Sequence, residues 1–453
     1  MVWGAYDLVA LRGTDGSVLW RNTSLSTRVF GGPVLADLDG DGAPEIAAGR
    51  GTSGQVMILG LGGASRWTGA AFTSGEVRSL AAARVSGRTG YDLVAGRAGS
   101  GATGQVAVLN ASGSILAGWP SLHSGSASVG GGIYGQSIAT ADLNSDGRAE
   151  IVAPTDAPYI LALGADGNDL PASSHFGAGK VFGQVPVHTT DAGAVSGTTN
   201  CATDQLLHFS SSPASIGDLD GDGTLEIVVV GSVYDCSTNP YTDLYHVPVI
   251  LKADRTRLKT TTYDWTVLPV PPSGAAPKSQ DSSVIEMAMP NPVLVDLDGD
   301  GKKEILYASY DGRVHAWWLD RTEHGSWPYT VPGSGIRFAS EPVVADLDGD
   351  GKSEVIFTTW PEKASGASGS LIILDWQGRL VYSVELPPAF PAPGWNGGLG
   401  APTLARLGTS TELAVVVGTA RSGVVAYRIP GSVATGIRWG TGRGNYRRDG
   451  TGP

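Results

Sequence analysis

The chain of 453 residues carries only 16% charged side chains, 66 glycines and a net charge of −12. That acidity argues against a nucleic-acid partner, for which a basic footprint is expected, and apolar runs as short as Ile227 to Val230 cannot span a bilayer. No long segment has helical periodicity; short Val/Ile/Leu/Ala runs between Gly, Asp and Ser turns predict many short strands.

In chain order, residues 1–24 read as the end of a repeating unit. Met1-Val-Trp-Gly-Ala-Tyr-Asp7 aligns with Ile305-Leu-Tyr-Ala-Ser-Tyr-Asp311, and Gly13 to Trp20 then reads as a turn and a strand. The acidic loop that precedes such a strand elsewhere is missing, and neither a basic start nor an apolar signal region is present, so we expect a truncated start.

The first full unit, 31–72, sets the pattern: strand A at Pro33-Val-Leu-Ala36, an acidic loop from Asp37 to Glu45, strand B at Glu45-Ile-Ala-Ala48, strand C at Gln55 to Leu59 and strand D at Ser65 to Thr68. Units follow at 76–121, 135–173, 213–269, 291–332, 340–389 and 400–440, with insertions at 174–212, 232–246 and 270–290. Four antiparallel strands in about 50 residues, repeated, form the blade of a β-propeller. We therefore expect an all-β fold, a single propeller domain over 1–453 of four-stranded antiparallel blades. Eight blades are favoured, the first incomplete or completed by Gly436 to Arg448, with seven the alternative. A–B and C–D turns lie at one end of such blades, so the three insertions are expected on the opposite, upper face.

The loops carry the chemistry. Asp37, Asp39, Asp41, Ala43 and Glu45 recur as Asp142, Asn144, Asp146, Arg148 and Glu150, as Asp218, Asp220, Asp222, Thr224 and Glu226, as Asp296, Asp298, Asp300, Lys302 and Glu304, and as Asp346, Asp348, Asp350, Lys352 and Glu354. Carboxylates at positions 1, 3 and 5, a carbonyl at position 7 and an acid at position 9 offer the hard oxygen shell that Ca²⁺ takes. An EF-hand would need its closing Glu at position 12 and flanking helices; here the last acid leads into a strand. These loops hold 19 of the 43 acidic side chains, and five divalent cations would bring the net charge close to neutral. In the second unit Arg84, Ser86, Arg88 and Asp92 replace the acids, with the arginines expected to stand in for the cation. The seventh loop, Arg406 to Glu412, is shorter; neither should bind metal.

These loops, with the Pro or small-apolar strand A before them (Pro33, Pro292, Pro342, Pro402) and the Ile/Val-rich strand B after, resemble the FG-GAP/VCBS repeats of the integrin α-subunit propeller and its bacterial relatives. The likeness covers about residues 1–440, although the Phe-Gly that names the repeat occurs only as Phe30-Gly31. It implies a secreted or cell-surface propeller with about five Ca²⁺ sites below and a protein or glycan partner above. Cys201 and Cys236 would then form one disulfide joining two insertions.

Candidate ligand-face residues are Tyr234, Tyr241, Tyr245 and His246 in the fourth unit, and Trp360 and Trp395 in upper connections. Each has a structural alternative, as self-packing of a long loop or as a loop anchor. Trp20, Trp67, Trp119, Trp327 and Trp439 recur on strand D, where blade-to-blade packing is the expectation. No Gly-x-Ser-x-Gly elbow, His-Glu-x-x-His or phosphate loop is present. We expect a monomeric, non-enzymatic binding protein of adhesion or recognition, with a calcium-dependent polysaccharide lyase or hydrolase as the alternative.

Overall fold

The computed structural model describes residues 2–4, 6–25, 27–99, 104–120, 132–135, 138–197, 203–209, 212–233, 245–269, 290–309 and 311–452. Its strands form eight sheets that follow one another along the chain. The first contains β1 (Val2–Gly4), β2 (Leu8–Leu11) and β3 (Val18–Asn22); the second contains β4 (Val34–Ala36), β5 (Glu45–Gly49), β6 (Gln55–Leu59) and β7 (Ser65–Ala70), each antiparallel to the next.

Burial explains the composition of these strands. Every residue of β5 is buried, as in Glu304–Ala308 and Leu413–Val417, because neighbouring sheets cover both faces. Such strands read as continuous apolar runs rather than alternating ones. The outer strand β7 alternates exposed and half-buried residues. Four consecutive strands in simple order recur at 293–330, and within the larger sheet at 343–385. In the sheets beginning at Glu76, Ala139 and Ala214 the fourth strand shrinks to one bridge, at Ile115, Asp169 and Arg257. Short outer edges of this kind limit pairing between molecules.

Tryptophans on or beside outer strands clasp neighbouring sheets. Trp20 donates its Nε1 to Leu61 O at 2.8 Å and lies over Gly63; Trp327 donates to Trp376 O at 2.9 Å and lies over Gly378. Trp67 covers Gly113, where an added Cβ would stand 2.0 Å from the ring, so only glycine fits. Trp265 makes the same kind of bond to Leu319 O at 3.0 Å.

Trp439 departs from the strand D expectation. It belongs to Ile437–Trp439, which pairs with the inner strand Val343–Ala345 and leads into a segment bonded to one inner strand after another. Leu404 N–H donates to Gly440 O, Leu35 to Tyr446 O, Ala82 to Arg447 O, Thr140 to Asp449 O and Ile216 to Gly450 O, at 2.8–2.9 Å. Gly452 lies beside Leu294 O. The C-terminal segment therefore does not complete the first sheet by adding to β1. It lies along the inner strands, where Arg443 is buried and bonds Ile138 O, Ala214 O and Ser215 Oγ.

The insertion after the third unit also differs from expectation. Just before it Ser173 N–H bonds Asp254 O in the C–D turn of the fourth unit, and its own Val185 O and Pro186 O accept from Arg255 Nη2 of that turn. It then follows the outer strand through the Thr190 to Val267 bridge and ends at Leu207–His208, paired with Val233 and Ser232. It thus covers the outer edge of that sheet, whose exposed strand needed a partner, as well as its upper end. Residues 234–244 and 270–289, which make up most of the other two insertions, lie outside the described residues.

Candidate metal centre

All five acidic loops share one backbone frame. The position 1 carboxylate accepts two backbone N–H groups of its own turn: Asp37 from Gly40 at 2.7 Å and Gly42 at 3.0 Å, Asp296 from Gly299 at 2.7 Å and Gly301 at 2.9 Å. Asp218 and Asp346 repeat this, and Asp142 accepts from Asp146 and Gly147. The position 6 glycine has φ between 85° and 90° in every copy, a left-handed conformation that glycine adopts without the penalty of a side chain. The position 5 carboxylate accepts the N–H of position 7, from Ala43, Arg148, Thr224, Lys302 and Lys352, at 2.7–2.8 Å.

The position 9 acid sits at the start of strand B and bonds the N–H of position 2. Glu45 accepts from Leu38, Glu150 from Leu143, Glu226 from Leu219, Glu304 from Leu297 and Glu354 from Leu347, at 2.7–3.0 Å. Burial raises the carboxyl of Glu45, and it pushes Glu150, Glu226 and Glu354 up to about 7 and Glu304 to about 9. The aspartates of each loop add to the rise, against the N–H bonds that lower it.

Carboxylate oxygens converge within 4.8 Å in four loops, from Asp37, Asp39 and Asp41, from Asp218, Asp220 and Glu226, from Asp296, Asp298 and Asp300, and from Asp346, Asp348 and Glu354. Hard oxygens held this close suit a divalent cation, which would offset both their repulsion and the burial of the glutamate. In the loop of the third unit Asn144 directs its amide nitrogen to Asp146 and Glu150, at 3.2 and 3.1 Å. There the amide group bridges two acids.

Two arginines enter these frames. In the second unit Arg88 bonds Asp92 through Nε and Nη2, at 3.1 and 2.7 Å, and Ser86 Oγ at 3.1 Å. Arg84 lies instead over the Tyr91 ring. In the first full unit Arg66, from β7, places Nη1 2.8 Å from Asp39 and 2.7 Å from Glu45. No loop motif announces Arg66, because it comes from the far strand of the hairpin.

Among the ligand-face candidates, Trp360 and Trp395 do meet, edge to face with centroids 4.6 Å apart. Trp395 Nε1 bonds Pro361 O and Lys363 stands over both rings, so the pair joins two loops. His246 is buried and contacts Ser309 at 3.0 Å, while Tyr245 is half-buried. Tyr234, Tyr241, Cys201 and Cys236 lie outside the described residues, and with them the proposed disulfide.

Two buried histidine clusters carry no sequence motif. His315 sits between Asp311 and Glu323, 3.1 Å from each, and stacks on Tyr307. Burial lowers its pKa, but the two acids prevail and raise it to about 9. In the insertion, His188 meets Asp204 at 2.5 Å. Both clusters join residues from separate turns or strands, so spacing alone does not reveal them.

An FG-GAP-like repeat family matches residues 296–357, from the acidic loop of the fifth unit into strand B of the next unit. No curated protein matches the chain by sequence. Among solved structures, the exotype rhamnogalacturonan lyase YesX is similar at 16% identity and a TM-score of 0.52, over 93% of this chain and 65% of the lyase. The chain therefore spans less than two thirds of that protein. The Pseudomonas aeruginosa PilY1 C-terminal domain is 14% identical with a TM-score of 0.40, over 95% of this chain and 87% of that one. The Dos1 propeller is 9% identical with a TM-score of 0.42, over 93% and 88%. No helix among the described residues is long and apolar enough to cross a membrane. With its repeated A–B hairpins and its succession of antiparallel sheets the chain has a β-propeller fold, and residues 296–357 carry an FG-GAP-like repeat.

Proposed function

We propose a Ca²⁺-stabilised propeller with eight blade positions, acting outside the cell as a monomeric recognition domain whose upper face binds a protein or glycan. The observation that carries this reading is the in-frame convergence of carboxylates in four loops at one end of the sheets. Asp37, Asp39, Asp41 and Glu45, and their counterparts in the other four loops, would hold the cations. Those loops clip inner hairpins, which leaves the opposite end, where Trp360 and Trp395 meet, as the surface for a partner.

A polysaccharide lyase or hydrolase on the same scaffold is the second reading, favoured by the fold match to a rhamnogalacturonan lyase. A glycan and protein-ligand array, run with Ca²⁺ and with chelator and followed by product analysis of every hit, separates the two. Calcium-dependent retention of an intact ligand supports recognition; shortened or unsaturated sugar products establish the enzyme. No binding in Ca²⁺ to any glycan or surface protein would overturn both.

A further inference from the structure

The two ends of the sheets differ in charge. Acids gather at the A–B end, where the five loops hold 19 of the chain's 43. At the opposite end, around the first two full units, the balance reverses. Between residues 23 and 138 the strand ends and connections there contain Arg28, Arg50, Arg78 and Arg97, no lysine, and Glu76 as the one acid. On a chain of net charge −12 this is a local cationic sector.

These groups form one surface. Arg28 and Arg78 stack on the Phe30 ring, with Cζ 4.2 and 4.1 Å from its centroid, and both pair with Glu76, at 3.2 and 2.7 Å. Arg78 also lies 5.3 Å from the Tyr134 ring, and Arg97 lies 6.0 Å from that of Phe72. Backbone bonds join the connections that carry them. Gly51 N–H donates to Arg28 O, Val77 N–H to Arg50 O and Ile133 N–H to Arg97 O, at 2.9–3.1 Å.

Stacking holds a weakly hydrated guanidinium flat and leaves its in-plane N–H groups to bond an anion. Arg28 spends one nitrogen on Glu76, and its side chain is 55% exposed. Arg50 turns its donors to Leu25 O and Gln55, so it adds charge to the sector and anchors the connection at Arg28. Hydroxyls stand exposed among these arginines, from Thr52 and Ser53 in one connection and from Thr73 and Ser74 in the next.

We propose that this sector binds an anionic glycan, whose carboxylate or sulfate groups pair with the arginines and whose hydroxyls bond those of Thr52, Ser53, Thr73 and Ser74. An acidic polypeptide offers the charges without the dense hydroxyls, so a sugar polymer fits both features of the surface. Glu76 has a defined part in this arrangement: it holds Arg28 and Arg78 in place and competes with the incoming anion for them. The inference rests on the recognition reading of the upper face and deepens it, by naming the class of ligand and the sector that holds it.

The test is titration calorimetry of the full chain in Ca²⁺ with a short oligoglucuronate, its uncharged methyl ester, a sulfated oligosaccharide of equal length and polyglutamate. The oligoglucuronate or the sulfated sugar should bind saturably, about tenfold or more tighter than the methyl ester, and more weakly as salt rises. Whichever of the two binds tighter identifies the anion as carboxylate or sulfate. Arg28→Gln should weaken binding by about fivefold with the melting temperature kept; if that variant unfolds, Arg97→Gln takes its place. Glu76→Gln frees two guanidiniums and should tighten binding although it removes two ion pairs, a direction that damage to the fold cannot produce. Equal binding of acid and ester, tighter binding of polyglutamate, or weaker binding by Glu76→Gln would each overturn the inference. A ligand held on the upper face with an affinity that Arg28→Gln leaves unchanged would overturn it while the recognition reading stands, whereas no binding to any glycan or surface protein would overturn both.

Discussion

The loops of the second and fifth units begin and end on the same frame, yet they balance a buried acid by different means. In the fifth, Glu304 accepts the Leu297 N–H, Asp296, Asp298 and Asp300 converge beside it, and the exposed Lys302 pairs with Asp300 at 3.2 Å. In the second, Asp92 bonds Ser86 N–H, and Arg88 supplies the positive charge from within the loop. The shared element is the clip from the last loop residue to a backbone N–H near its start. In the second loop guanidinium balances the buried acid; in the fifth, on the proposed reading, Ca²⁺ would do so, and only that hairpin would respond to its surroundings.

The largest expected effect follows from removing metal. A cation that binds only the folded state, at about a hundredfold over its dissociation constant, stabilises by about 2.7 kcal/mol per site. Five such sites in a chain of this length correspond to about 10–15 °C in melting temperature. Calorimetric melts in Ca²⁺ and in chelator check this, and unchanged melting would break the comparison at its root. The gap should also depend on pH. Without cation, the position 9 glutamates have folded-state pKa values raised above those of the unfolded chain. Below the ordinary carboxylate value both states are protonated and no penalty arises. Above it the unfolded chain releases its protons first, so the chelated protein loses stability as pH rises through about 7 and then about 9. Calcium needs the ionised acids, so its contribution grows over the same window. A gap as large at pH 5 as at pH 9 would contradict this account.

Smaller, and opposite in character, is the effect of Arg88→Ala. Asp92 stays buried and keeps its N–H bond but loses its counter-charge. Breaking a fully buried pair costs about 3–5 kcal/mol. Arg88 is about a third exposed, so solvent screening reduces this to about 1–2 kcal/mol. The melting temperature should fall by about 1–2 °C, by the same amount in Ca²⁺ and in chelator. A loss confined to the Ca²⁺ condition would mean that the second loop also works through metal.

The difference between these loops is also the difference between what was legible in the sequence and what was not. Acid spacing from Asp37 to Glu45 is dictated by ligand geometry, so each copy declares its place and with it the A–B hairpins of the propeller. Trp20 and Trp327 were readable for a similar reason, since each must meet a turn glycine in the neighbouring sheet. The C-terminal segment obeys no such local rule. Trp439, Gly440 and Tyr446 find partners through equivalent positions of separate sheets, a relation visible only when the sheets surround them. His315, Asp311 and Glu323 come together across a strand and a turn, and the insertion carrying His188 was placed too simply because loop topology gives its ends and not its course. Arg66 belongs to this second class: its role depends on hairpin register between β6 and β7, not on the loop it enters.

Arg66 also makes the first full loop an intermediate case, and its removal is the smallest and sharpest test. Its Nη1 contacts oxygens of Asp39 and Glu45, the positions a Ca²⁺ ion would take at about 2.3–2.6 Å. Because the side chain is 44% exposed, the pairing is worth about 0–1 kcal/mol, equivalent to at most about fivefold in affinity. If the guanidinium gives way to the ion, Arg66→Ala should tighten calcium binding at this loop by up to that factor while slightly lowering the melting temperature in chelator. The two conditions then move in opposite directions, which a simple loss of packing cannot produce. Calcium titration calorimetry of the wild-type chain and the variant, paired with melts in chelator, reads both. A variant with one fewer calcium site would show that Arg66 assists the ion. A variant unchanged in calcium affinity but less stable in both conditions would place the first loop with the second, as a hairpin closed by arginine.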